Sequence, residues 1–137
     1  MILYNMKVST SENCTFCQAE KDSIQHIFWK CPCIKRFWQT FQQTVNETIV
    51  NMNLSLTENI ILFGCDDNFK SDSTFDLIIL LAKFFIYKCK MEKINPEFQH
   101  YIHYLKRRYA IEKHVSLISL SQMNFVTRWH NYLPLFL

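Results

Sequence analysis

CTFCQAEKDSIQHIFWKCPC, residues 14–33, contains four of the six cysteines in the chain and one of its five histidines. Cys14 and Cys17 are separated by two residues, a spacing at which one tight turn directs both thiolates toward a single ion. His26 follows after eight more residues, and Cys31 after a further four. Three cysteines and one histidine form a favoured tetrahedral zinc-ligand set with no open position for catalysis. The spacing therefore predicts one structural Zn²⁺ ion bound by these four side chains.

The segment between the last two predicted ligands has to bend. His26 and Cys31 are five residues apart, and an unbroken α-helix would turn them by about 140° relative to each other. Pro32 supplies a reason for a bend, because proline disfavours helix in the preceding residue and suits the first position of a new helix. Cys33 is an alternative ligand to Cys31, but it lies one residue inside that helix. The two cysteines outside the segment are expected to be small core residues: Cys65 and Cys89.

The start of the sequence does not resemble an export signal, because the apolar stretch MILY is only four residues long. We therefore expect an intracellular protein, in the cytoplasm or the nucleus, whose cysteines stay reduced instead of pairing as disulfides. The longest apolar run, residues 77–87, has eleven residues and contains Lys83. Crossing a bilayer takes about twenty apolar residues, so this run predicts a buried helix and no membrane association.

The composition favours helices. The 137 residues include one glycine and three prolines, and 49% of them are hydrophobic. This content excludes a disordered chain and leaves too few turn residues for a sheet-rich fold. We predict a mainly α fold, with a small zinc-binding head at residues 1–33 and a compact bundle of about four helices at residues 34–137. Apolar residues at intervals of three, four and seven give the first helix one buried face, with Trp38 in the core: Ile34, Phe37, Trp38, Phe41, Val45 and Ile49.

Other segments give less definite patterns. Residues 1–13 are compatible with a short strand or hairpin arm, and IILFG at residues 60–64 with a short strand or an extended connector. A second helix is predicted to begin after a cap at Asp72 or Ser73 and to end near Ile94, before the Asn-Pro pair at residues 95–96. Two further helices are predicted at residues 97–114 and 116–133.

NCTFCQAEKDSIQHIFWKCPCIKRFW, residues 13–38, resembles the cysteine-rich C-terminal region of reverse transcriptases encoded by LINE-type non-LTR retrotransposons. In that family a C-x-F-C turn precedes an acidic stretch, a His-hydrophobic-Phe-Trp motif, a Cys-Pro pair and a downstream Phe-Trp pair. Three later segments, with a tryptophan near the C-terminus, are similar to the region after the zinc motif in animal elements: IILFG, LIILLAKFFIYKCK and NPEFQHYIHYLK. The resemblance covers essentially the whole chain.

The resemblance implies that the zinc ligands are Cys14, Cys17, His26 and Cys31. It also implies a parent polypeptide with endonuclease and polymerase domains that acts on its own element's RNA, of which this chain would be a fragment. Because neither catalytic region is recognisable here, we expect no enzymatic activity and no small-molecule substrate. Asp66 and Asp67 in FGCDDNF do not indicate a polymerase metal site, since the 65 residues before them leave no room for a palm and a third carboxylate.

Positive charge is concentrated in residues 83–114, which contain eight basic and three acidic residues, whereas the rest of the chain contains seven basic and nine acidic residues. Basic side chains contact phosphates, and tyrosines among them can stack on unpaired bases. Together with the resemblance, this pattern predicts a surface that binds RNA, the transcript of the element. Its predicted residues are Lys83, Lys88, Lys90, Tyr101, Tyr104, Lys106, Arg107, Arg108 and Lys113.

Other interpretations stay open. The same charge pattern is typical of a solvated helix face with tyrosines half in the core. The chain would then be a zinc-stapled protein-interaction domain or an inert retroelement remnant, and its partner would be another protein or the upstream reverse transcriptase domains. His100 and His103 suggest a second metal site, but without nearby thiolates we expect them to be surface or stacking residues.

Overall fold

The computed structural model describes residues 13–49, 53–64, 73–119 and 121–136. These residues are mainly helical, as predicted, and among them Asn13 and Lys21 form an isolated antiparallel bridge, with no β-strand. The predicted arm lies, except for Asn13, outside the described residues. The helices in chain order are a π-helical turn at His26–Lys30, α1 at Pro32–Thr48, α2 at Glu58–Phe63, α3 at Ser73–Glu92, α4 at Phe98–Ile118, α5 at Gln122–Trp129 and a 3₁₀ helix at His130–Phe136.

Helix α1 has the apolar face that its sequence predicts. It begins with Pro32, and its buried residues are Ile34, Phe37, Trp38, Phe41 and Val45. Trp38 is only 2% exposed, and its indole N–H donates a 2.7 Å hydrogen bond to the carbonyl oxygen of Phe28. A buried indole needs such an acceptor. The prediction that Trp38 is a core residue is therefore confirmed.

An aromatic cluster joins the three long helices. The ring centroid of Phe37 on α1 lies 6.1 Å from that of Phe85 on α3 and 5.5 Å from that of Tyr101 on α4. Phe98, at the start of α4, makes edge contacts with Phe37 and Phe41. Aromatic pairs in such geometries contribute about 0.5–1.5 kcal/mol each beyond the area they bury. The cluster thus fixes α3 and α4 against α1.

The segment IILFG is a short helix, so the prediction of a strand or an extended connector is wrong. The Thr57 side chain accepts a 3.3 Å hydrogen bond from the amide of Ile60 and caps the start of α2. Gly64 ends the helix in a left-handed conformation, with φ of 83°, which glycine adopts without steric cost. A run of four apolar residues does not distinguish helix from strand, but its two caps do.

The later helices differ from their predicted bounds. Helix α3 ends at Glu92 and not near Ile94, because Lys93 adopts a left-handed conformation with φ of 59°. Helix α4 continues to Ile118, and the helix predicted at residues 116–133 is divided by a turn. In that turn the Ser119 hydroxyl bonds the carbonyl oxygen of Val115 and the Ser121 hydroxyl. Serine side chains that bond the local backbone compete with helix formation.

The head and the helical body share one hydrophobic core. Cys14, Ile27 and Cys31 belong to the same cluster of buried residues as Ile34 and Phe37. In the part of the chain that the structure describes, the helices are all too short or too polar to cross a membrane. The core therefore places the cysteine-rich segment directly against α1 and α3.

Candidate metal centre

A tight turn presents the first two cysteines. The amide of Gln18 donates a 2.9 Å hydrogen bond to the carbonyl oxygen of Cys14, and the amide of Cys14 donates a 2.7 Å bond to that of Glu20. Gln18 adopts a left-handed conformation, with φ of 56°. These bonds close residues 14–20 into a loop, which brings Cys17 back toward Cys14.

A π-helical turn presents the other two side chains. The amide of Cys31 donates a 2.9 Å hydrogen bond to the carbonyl oxygen of His26. This bond spans five residues, so the wide turn stacks Cys31 over His26 where an α-helix would have rotated them apart. Cys31 then leaves the turn in an extended conformation, with φ of −59° and ψ of 132°, as expected for a residue before proline. The required bend is therefore a π-turn followed by an extended residue.

The ligand atoms of these four residues converge. One potential ligand atom from each of Cys14, Cys17, His26 and Cys31 lies within 4.8 Å of all the others. The sulfurs of Cys14 and Cys31 are 3.8 Å apart, and the Cys17 sulfur is 3.3 Å from Nε2 of His26. Cys14, His26 and Cys31 are buried, and Cys17 is partly buried. The group lies close enough to hold one metal ion, in a site largely closed to solvent.

The other cysteines lie outside this group. Cys33 is half-buried, and its sulfur is 4.0 Å from the carbonyl oxygen of Phe16. The structure thus groups Cys31, and not Cys33, with the first three ligands. Cys89 is 2% exposed in the core, as predicted. Cys65, Asp66 and Asp67 lie outside the described residues.

The thiols ionise unequally. Burial raises the pKa of Cys17, but hydrogen bonds from the Ala19 amide, the His26 side chain and the Glu20 amide outweigh it and lower the pKa to about 7. The pKa of Cys31 is raised to about 12, mainly by burial. The nearby backbone amides lower this pKa, and the charge of Cys14 raises it further. A metal ion at this position would reverse such a rise, because it stabilises thiolates directly. Binding of a metal ion here would therefore release protons.

Two residues of the predicted RNA surface lie in the core, so the prediction that they contact RNA is wrong. Tyr101 is fully buried, and its hydroxyl donates a 2.7 Å hydrogen bond to the carbonyl oxygen of Ile78. The side chain of Lys90 is 1% exposed and forms a 2.7 Å ion pair with Asp22. Neither side chain is accessible to an external nucleic acid.

Three other predicted residues have intermediate positions. Lys83 donates a 2.8 Å hydrogen bond to the carbonyl oxygen of Ile61, and burial lowers its pKa. Tyr104 is half-buried and stacks on the exposed ring of Phe84, with the ring centroids 6.4 Å apart. Lys88 is exposed on α3. Of the three, Lys88 is thus the most accessible.

The basic cluster of α4 remains on the surface. Arg107, Arg108 and Lys113 are exposed and Lys106 is half-buried. Arg108 forms an ion pair with Glu112, with 3.4 Å between Nε and Oε1. The other three side chains are therefore the better candidates for contacts with an external anion.

The two histidines near the start of α4 form no second metal group in the described residues. His100 and His103 are both exposed, as predicted for surface residues, and Nε2 of His100 is 3.8 Å from a Glu97 carboxylate oxygen. Exposed histidines at this spacing need no metal to explain them.

Sequence reasoning missed the contact that ties the metal centre to the helices. Nζ of Lys90 contacts the hydroxyl of Thr15 at 3.0 Å as well as the Asp22 carboxylate, and both partners lie between predicted ligands. One indication was available in the sequence, because Lys90 lies four residues after Ile86 and therefore on the buried face of α3.

The geometry defines the class of protein: a helical domain with a closed group of three cysteines and one histidine that can hold a metal ion. Comparisons of the chain with protein-family models, curated proteins and solved structures found no match. Its function is therefore inferred from the residues of this chain.

Replacing Gln18 with glycine is expected to stabilise the protein. A non-glycine residue held in the left-handed region costs about 1–3 kcal/mol, and glycine removes that strain while adding entropy to the unfolded chain. We expect Gln18→Gly to raise the free energy of unfolding by about 1 kcal/mol, measured by urea denaturation with metal present. The matched control is Gln39→Gly inside α1, which should lower it by about 1 kcal/mol. Equal destabilisation by both changes would contradict the assignment of strain at Gln18.

Proposed function

We propose that this chain is a zinc-stabilised RNA-binding module, without catalytic residues of its own, from the C-terminal region of a non-LTR retrotransposon reverse transcriptase. The observation that carries the proposal is the converging group of three cysteines and one histidine. It supports the cofactor directly. The RNA partner is supported by the exposed basic side chains of α4 and by the resemblance of residues 13–38.

The dimensions of the group favour zinc. In a tetrahedral site with zinc–sulfur bonds of about 2.3 Å, two sulfurs lie about 3.8 Å apart, and the sulfurs of Cys14 and Cys31 are 3.8 Å apart. A sulfur and an imidazole nitrogen would lie about 3.6 Å apart, compared with 3.3 Å between Cys17 and His26. Thiolates with one imidazole are also the donor set that zinc prefers. Since the set fills all four positions, the ion would stabilise the fold and not catalyse a reaction.

The proposed RNA surface is the solvent face of α4. Lys106 and Lys113 are seven residues apart and project within about 20° of each other, while Arg107 projects about 100° from Lys106. Among the described residues these three side chains form no ion pair, whereas Arg108 pairs with Glu112 at 3.4 Å. A single strand lying along α4 would meet at least two of them. Of the two predicted tyrosines, only Tyr104 is partly exposed and could contact a base.

We expect the triple variant Lys106→Ala, Arg107→Ala, Lys113→Ala to bind single-stranded RNA more weakly and with less salt dependence. Each lost phosphate contact flattens the slope of log affinity against log salt by about 0.7. Loss of two contacts should reduce the slope by about 1.4, with a similar loss of affinity for RNAs of different sequence. Fluorescence anisotropy across a salt series measures both quantities.

The control removes the same charge from another surface. Lys30, Lys35 and Arg36 are exposed around the start of α1, and their triple alanine variant should keep the wild-type slope. Zinc content and the melting curve are checked for both variants, so that unfolding is not mistaken for lost contacts. An unchanged slope in a folded α4 variant would remove this face from the RNA surface.

A protein-interaction domain is the second candidate, and one feature of α3 favours it. Four large apolar side chains at intervals of four, three and four residues form an exposed stripe, with exposed fractions of 59%, 53%, 40% and 42%: Leu80, Phe84, Tyr87 and Met91. An apolar stripe of this kind is typical of a surface that another protein covers. Wild-type protein that binds zinc but shows no salt-dependent RNA binding would favour this candidate.

A further inference from the structure

His26 has one buried ring nitrogen, Nδ1, for which the proposed metal ligands provide no hydrogen-bond partner. His26 is 3% exposed, and its Nε2 faces Cys17 within the ligand group. Its other ring nitrogen, Nδ1, is buried and forms no hydrogen bond within the described residues. A histidine that binds a metal through Nε2 as the neutral ring carries its proton on Nδ1. That N–H then needs an acceptor, because buried donors are nearly always paired.

The Glu20 carboxylate is in position to be that acceptor. Its Oε2 lies 3.7 Å from Nδ1 of His26, and the side chain is 73% exposed. This separation is about 1 Å longer than a charge-assisted hydrogen bond, so a small side-chain rotation closes it. Because the side chain is mostly exposed, the carboxylate has room to make that rotation.

The backbone of Glu20 is fixed by the same turn that presents the cysteines. Its carbonyl oxygen accepts the 2.7 Å hydrogen bond from the Cys14 amide. Its own amide is one of the groups that lower the pKa of Cys17. Glu20 is therefore anchored between two of the proposed ligands, and its side chain points toward a third.

We infer that Glu20 is a positioning residue for the metal centre: its carboxylate accepts a hydrogen bond from the Nδ1–H of His26 and thereby fixes the orientation and tautomer of the ring. This inference rests on the proposed zinc site. Such carboxylate–histidine pairs beside a metal make the histidine a stronger ligand, and their loss typically costs about 10–100-fold in metal affinity. The spacing of the cysteines and the histidine does not point to Glu20, so this role is evident only from its position beside His26.

The test compares zinc affinity in full-length variants by competition with a chromophoric chelator. Glu20→Ala should weaken zinc binding by about 10–100-fold. Glu20→Gln keeps an oxygen that can accept a hydrogen bond from Nδ1–H and should lose clearly less affinity than Glu20→Ala. Glu47→Ala removes the same charge near the far end of α1, fifteen residues after its start, and should leave the affinity unchanged within about twofold because salt screens charges at that distance.

A second measurement separates positioning from simple charge attraction. In zinc-loaded wild-type protein, proton NMR should show a His26 Hδ1 resonance protected from exchange with water, and Glu20→Ala should lose that protection. Glu20→Ala protein with wild-type affinity and a protected resonance would overturn the inference. Equal losses of affinity in Glu20→Ala and Glu20→Gln, with the resonance still protected in both, would also overturn it. Wild-type protein that binds no zinc would instead refute the proposed function.

Discussion

Removal of the metal with a strong chelator is expected to unfold residues 14–31 and to abolish cooperative unfolding of the chain. Structural zinc contributes about 10–16 kcal/mol of apparent binding free energy in small zinc-binding domains, compared with about 5–15 kcal/mol for the whole net stability of a domain. Cys14 and Cys31 belong to the core that contains Ile34 and Phe37, so disorder of the head exposes apolar surface on the helices. Circular dichroism melting curves with and without chelator measure the effect, and added zinc should reverse it.

The matched variants for this prediction are Cys31→Ser and Cys33→Ser. The two cysteines are separated by one residue, but only Cys31 belongs to the converging group. Cys31→Ser should behave like the chelated protein, whereas Cys33→Ser should keep its metal and its melting transition. A chelated protein that melts at the wild-type temperature would show that the fold does not depend on the metal.

Lys90→Met is expected to destabilise the protein by about 3–5 kcal/mol, because it removes the cation that pairs with a buried carboxylate. Nζ of Lys90 lies 2.7 Å from the Asp22 carboxylate, and the two side chains are 1% and 2% exposed. The same nitrogen contacts Thr15 in the cysteine turn, so the loss also loosens the head from α3. Urea denaturation with zinc present measures the change in free energy of unfolding.

Two further variants isolate the ion pair. Replacing both partners, in Lys90→Met with Asp22→Leu, should recover most of the lost stability, because no charge then remains buried at that position. Lys88→Met removes an exposed lysine two residues away on the same helix, and it should change stability by no more than about 0.5 kcal/mol. If Lys90→Met and Lys88→Met had equal, small effects, the buried pair would not contribute to stability.

Local patterns in the sequence predicted the features that depend on local spacing. The apolar intervals from Ile34 to Val45 predicted the buried face of α1 because packing on one side of a helix requires them. The intervals between the three cysteines and His26 predicted the metal group, because a closed tetrahedral site restricts how a short chain can return to one ion. The core position of Trp38 was predicted from the apolar intervals of α1.

The sequence misled where a side chain's surroundings depend on distant parts of the chain. Lys90 and Tyr101 lie in a stretch rich in basic and aromatic residues, but the composition of a stretch does not show which of its side chains face solvent. Lys90 can be buried because Asp22 compensates its charge, and Tyr101 because its hydroxyl donates a hydrogen bond to the carbonyl oxygen of Ile78. The width of the π-turn was missed for a related reason, since the hydrogen bond from Cys31 to His26 becomes evident only in the folded backbone.

X-ray absorption and metal analysis of protein purified without chelator would test the central claim most directly. We predict one zinc ion per chain, with three sulfur ligands at about 2.3 Å and one nitrogen ligand at about 2.0 Å. We also predict that Cys17→Ser lowers the zinc content, while Cys33→Ser leaves the metal and its ligand distances unchanged. Substoichiometric zinc in the wild-type protein, or the same zinc content after Cys17→Ser, would contradict the claim.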